Sequence, residues 1–92
     1  MKQLIIVFEF TSENIQMQVP FKEMIRKYGK FAFVTSNTCI IWTEDTAAMV
    51  RDNLKTGMGL SDKLFVGGTS APAAWLTSVG QEVTDYLQKN LK

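Results

Sequence analysis

The amino-acid sequence predicts an α+β domain, in which helices cover one face of an antiparallel sheet and a further helix follows at the end. Three observations predict it. Lys2–Phe10 is dominated by β-branched and bulky apolar residues, the composition of a strand covered on both sides. Two later segments carry apolar residues at helical spacing. Between those segments lie two short strand-like runs separated by Ser36-Asn37, a hairpin signature.

Each element follows from local chemistry. Along the first strand Leu4, Ile6, Phe8 and Phe10 alternate onto one face, while Ile5 and Val7 take the other. Glu9 is the lone carboxylate near the strand's end. Thr11–Gln18 is polar without a clear period and reads as a loop. Pro20 suits a first helical turn, and Phe21, Met24, Ile25 and Tyr28 make one apolar stripe, so a helix is expected from about Pro20 to Tyr28. Glu23 and Lys27 stand four apart in the favourable order, and Gly29 is a left-handed stop.

Phe31–Thr35 and Thr38–Thr43 then form the hairpin. Glu44-Asp45-Thr46 offers a cap and negative charge to a second helix over Thr46–Lys55, which buries Ala47, Val50 and Leu54. Lys63–Gly68 reads as a fourth strand entered through Ser61-Asp62. Gly67, Gly68 and Pro72 are expected to make the stretch from Gly67 to Ala74 irregular. Ser78 with Gln81 three residues later is a capping-box pattern. The last helix, striped by Val79, Val83, Tyr86, Leu87 and Leu91, runs to about Leu91.

The resulting order, β-α-β-β-α-β with an appended helix, is the ferredoxin-like split βαβ arrangement. Residues 1–92 make one domain, with no linker, repeat or low-complexity tract. The face carrying Ile5, Val7 and one side of the hairpin is too apolar to be left in water. Only the terminal segment or a second subunit could cover it. A homodimer formed through Ile5 and Val7 is the expected arrangement.

Composition excludes several classes of function. A net charge of +1 argues against a strong global grip on nucleic acid. Cys39 is the single cysteine, so no internal disulfide forms, and a reducing, cytoplasmic setting is the simplest reading. No signal peptide is apparent, and no stretch reaches the roughly 20 apolar residues of a membrane span. Histidine is absent, which with one cysteine rules out a structural zinc site. A carboxylate site for magnesium or manganese stays open.

Candidate sites follow, each beside a plainer reading. Glu9 is the candidate catalytic and metal-binding carboxylate, since two copies meeting across a dimer axis could hold one cation. The plainer reading is a solvated acid at a strand end. Asp62 is a second acid, better read as a turn cap. Lys22, Arg26, Lys27 and Lys30 form a locally basic group that could grip nucleic-acid phosphates, with Tyr28 or Phe31 for stacking. The plainer reading, a solvated helix face partly neutralised by Glu23, is the better one. Gly67-Gly68-Thr69-Ser70 lacks the ending of a phosphate loop. Trp42 and Trp75 read as packing residues, and Cys39 has no base to activate it.

A resemblance to a known family rests on residues spread along the chain. They are Tyr28-Gly29, Ser36-Asn37-Thr38, Ile40-Ile41-Trp42-Thr43 and Val50-Arg51-Asp52-Asn53-Leu54. Ser61-Asp62-Lys63-Leu64-Phe65-Val66, Ala73-Ala74-Trp75 and Thr84-Asp85-Tyr86-Leu87-Gln88-Lys89-Asn90-Leu91 continue the series. In these the chain resembles the SinR-like proteins, small bacterial and phage proteins related to the CRISPR-associated adaptation subunit with a ferredoxin-like fold. The related subunits carry an aspartate at the end of strand one, proposed in some members as a nuclease metal ligand. Here the matching neighbourhood holds Glu9, a departure that argues against nuclease activity.

The resemblance and the lack of a complete catalytic constellation imply a non-catalytic, dimeric binding protein without a cofactor. Its other partner would be nucleic acid or a host protein. Two alternatives stand beside this expectation. One is a magnesium- or manganese-dependent endonuclease using Glu9. The other is a phage or mobile-element inhibitor of a host defence protein.

Overall fold

In the computed structural model, which describes residues 1–71 and 73–92, the chain forms a small α+β unit. Its elements are β1 (Lys2–Glu9), α1 (Gln18–Arg26), β2 (Phe31–Thr35), β3 (Thr38–Thr43), α2 (Ala47–Leu54), β4 (Lys63–Gly68) and α3 (Gln81–Asn90). Short 3-10 turns occupy Ser12–Met17, Lys55–Gly57 and Thr77–Val79. Among the described residues, no helix is long and apolar enough to cross a membrane.

The four strands lie in the order β2-β3-β1-β4, and every neighbouring pair is antiparallel. β1 pairs with β3 from Lys2↔Thr43 to Val7↔Thr38, and with β4 from Leu4↔Gly68 to Glu9↔Lys63. At its end β1 is tied to the hairpin turn, where Phe8 N donates to Asn37 O and the Asn37 amide donates back to Phe8 O. The strand that is most apolar in the sequence is thus central.

Alternation sorts its side chains into two cores. On the first face Leu4, Ile6, Phe8 and Phe10 meet Phe21 and Ile25 of α1 and Val50 and Leu54 of α2. The Phe8 and Phe21 rings lie 4.9 Å apart between centroids, and Phe10 meets Phe21 edge-on at 5.2 Å. On the second face Ala32, Ile40 and Trp42 pack under Leu87 of α3, with Ile5, Val34, Trp75, Val83 and Tyr86 around them. The terminal helix therefore covers the β2–β3 half of that face.

Several local expectations hold. Thr46 Oγ1 accepts a bond from Met49 N at 3.1 Å and caps α2, and Gly29 takes φ +87° after α1. Others need correction. Thr11–Gln18 is not a loop: Ser12–Met17 winds as a 3-10 turn that runs into α1, which begins at Gln18 and ends at Arg26 rather than spanning Pro20–Tyr28. The cause is distant, since the Asp62 carboxylate holds Thr11 N at 2.8 Å and Asn14 Nδ2 at 3.3 Å.

Gly67 and Gly68 are not irregular, because β1 pairs them with Ile5 and Leu4. A Cβ on Gly67 would come within 2.9 Å of the Phe65 ring, so glycine lets that ring lie along its own strand. The bend expected at Pro72 lies outside the described residues. Finally, Gly80 rather than Ser78 precedes the last helix, with φ +112°. That backbone state suits glycine, and Ser78 sits two residues too early, in the 3-10 segment.

Candidate functional site

Where α3 stops, the second face is open. β1 and β4 place Val7 directly opposite Phe65, and Glu9 opposite Lys63, on that side of the sheet. Val7 is 40% exposed and Phe65 61%. Lys63 Nζ lies 3.8 Å from Glu9 Oε1, both side chains largely in water. A shallow cleft of about 280 Å³ runs along these residues.

Among the described residues, no strand pairs with the β4 edge beside this patch. Thr69 N donates to Gln3 O at 3.0 Å, which sets the alternation of the β1–β4 ladder. Lys63, Phe65 and Gly67 turn their backbone groups toward β1, so those of Leu64, Val66 and Gly68 point out of the sheet. An apolar pair thus adjoins a row of free donors and acceptors.

The sequence-predicted residues do not converge on one site. Ile5 is half-buried in the second core, whereas Val7 stands outside it. Glu9 forms its ion pair with Lys63, and among the described residues no group of three or more His, Cys, Asp and Glu side chains is placed to hold a metal. Asp62 lies elsewhere, bonded to Thr11 N, Gly59 N and Asn14. The Thr11 bond above all holds its carboxyl below the usual range.

The basic group divides. Lys22 and Arg26 stand over the Phe33 ring, 5.7 and 5.2 Å from its centroid, and Arg26 also pairs with Glu23. Lys27 borders a cleft of about 290 Å³ with Met24, Tyr28, Asp45 and Asn53, where Asn53 Nδ2 donates to the Tyr28 hydroxyl. Lys30 lines a separate hollow beside Trp42 and Lys92. Burial pushes the Cys39 thiol up to about 12, which leaves it protonated and inert. Trp42 is buried and Trp75 packs against the same second core.

Two residues carry more than the sequence disclosed. Phe65 is the largest exposed ring of the patch, and its alternation with Leu64 and Val66 was legible, but which side of β4 lacked cover was not. Gln3 is a hub: its Oε1 accepts from Trp42 Nε1 and Lys92 N, and its Nε2 donates to Thr69 O and Lys92 O. A polar residue just before the apolar run Leu4–Phe8 was the available signal.

No protein-family model matches the chain, and a search of curated proteins returns no match.

Proposed function

We propose that this protein is a non-catalytic interaction module that works as a homodimer, its copies joined through the Val7–Phe65 patch and the β4 edge. The observation that carries this reading is the exposure of Val7 and Phe65, side by side on the uncovered half of the second face. Exposed apolar surface next to a free strand edge favours association. The patch carries one acid and one base, Glu9 and Lys63, so a second copy meets charges of both signs there.

The order β2-β3-β1-β4 supports a ferredoxin-like assignment, since two interleaved βαβ units put β1 and β3 at the centre. The chain-long resemblance to SinR-like proteins and their CRISPR-adaptation relatives supports the same reading. The lone, buried Cys39 supports a reducing, cytoplasmic setting.

Sedimentation velocity at micromolar concentration tests the dimer. The native chain is expected to sediment as a dimer, and Val7→Lys and Phe65→Lys as monomers. Both positions are exposed enough for a lysine to reach water, so each variant should fold. A monomeric native chain overturns the proposal. The nuclease alternative is separated by incubating RNA and DNA with magnesium or manganese. Cleavage lost on Glu9→Gln would establish it instead.

A further inference from the structure

The other open edge of the sheet has different chemistry. Trp42 N donates to Lys30 O at 3.1 Å, which makes these two a hydrogen-bonded pair. Counting along the register Phe31↔Ile41, Ala32↔Ile40 and Phe33↔Cys39, the backbone of Ala32 turns toward β3. The N–H and C=O groups of Phe31 and Phe33 then point outward. Among the described residues no backbone group bonds to them. The regular edge ends at the irregularity between Phe33 and Thr35.

Helices flank this edge on both faces of the sheet. From α1, Lys22 and Arg26 reach over Phe33. From α3, Val83 and Tyr86 face Phe31 and Ala32 across a groove of about 390 Å³, with Glu82 also lining it. One wall is therefore cationic, the other mainly apolar, and the floor is the outer edge of β2.

We propose that this edge receives an extended segment of a partner protein as an added strand, with acidic and apolar residues in alternation. Side chains of an added strand point to opposite faces in turn. Those on the α1 side meet Lys22 and Arg26, which calls for aspartate or glutamate. Those on the α3 side meet Val83 and Tyr86, which calls for valine, leucine or isoleucine. Main-chain bonds to Phe31 and Phe33 supply the attachment, and the two walls supply the selectivity. Lys22 is the principal cation, because Arg26 is already paired with Glu23.

A peptide fits better than a nucleic acid. Outward N–H and C=O groups match another peptide backbone, whereas a phosphodiester brings acceptors only. The Phe33 face, on which a base would stack, is already occupied by Lys22 and Arg26.

The test uses the full chain and a fluorescein-labelled eight-residue peptide of alternating glutamate and valine. Controls are a lysine–valine peptide and an oligo-dT strand of similar charge. Anisotropy should show binding of the glutamate–valine peptide, weakened at least roughly tenfold by the double variant Lys22→Glu, Arg26→Glu. The lysine–valine peptide should gain affinity for that variant. Amide exchange at Phe31 and Phe33 should slow when the peptide is bound. Phe65→Lys should bind the peptide as the native chain does, which keeps this site separate from the dimer. No peptide binding, binding that leaves those two amides unprotected, or tighter binding of oligo-dT would each overturn the proposal.

Discussion

The two faces of the sheet are built from the same strands and end in opposite states. Beneath α1 and α2 the first face is closed, with Leu4, Ile6, Phe8 and Phe10 against both helices. Among the described residues the second face is covered by α3 with Trp75, over β2, β3 and part of β1, which leaves Val7 and Phe65 in water. Neighbours in the chain show the contrast best: Phe8 is 2% exposed and Val7 40%. The difference is one of reach. Two helices from two crossovers span four strands, whereas the ten residues of α3 make a rod about 15 Å long. The closed face holds the larger core, and the half-open face leaves Val7 and Phe65 accessible.

The largest test of this contrast sets Phe8→Ala against Val7→Ala in a denaturant titration of the Phe65→Lys background. Phe8→Ala should cost about 3–5 kcal/mol, because it empties the aromatic cluster with Phe10 and Phe21. Val7→Ala should stay within about 0.5 kcal/mol. Similar losses at the two positions would break the comparison.

A smaller effect should mark the second face alone. Gln3→Ala removes the acceptor of Trp42 Nε1 and the bonds that tie Lys92 and Thr69 to β1. The expected loss is about 1–3 kcal/mol. Hydrogen exchange should accelerate in α3 while amides of α1 and α2 keep their protection. Uniform acceleration would mean that the two cores unfold as one unit.

The smallest effect concerns the turn that leads into the first face. With its carboxyl held low chiefly by the Thr11 N–H, Asp62 stabilises the fold above its unfolded value of about 3.9, and that contribution fades as pH falls through the lower folded value. Asp62→Asn should therefore be less stable than the native chain at pH 7. The gap should close on acidification, as read by thermal melts at pH 7 and below pH 3. A gap independent of pH would show that the carboxylate charge is not what anchors Thr11 and Gly59.

Much of this architecture was legible residue by residue. The alternation of Leu4, Ile6, Phe8 and Phe10, the stripe of Phe21 and Ile25, the Thr46 cap and the Gly29 stop depend on contacts or torsions within a few residues. The candidate sites were less legible. Lys22, Arg26, Lys27 and Lys30 are close in sequence, yet one helical turn and the bend at Gly29 send them to different surroundings. Glu9 was visible as an anomaly, but its partner Lys63 is brought opposite by strand pairing.

By itself, then, the sequence determined the elements and which side of each is apolar, since side-chain periods of 2 and 3.6 are local properties of the backbone. Only the tertiary structure decided the order of the strands, the 3-10 winding of Ser12–Met17 under Asp62 and the pairing of Gly67 and Gly68 into β4. It also decided how far α3 reaches. Beyond the end of α3, Gln3 ties Lys92 to Trp42 and Thr69 from three separate parts of the chain, while Val7 and Phe65 stay uncovered. Hydrogen bonds and packing between residues so distant in sequence have no local period to betray them.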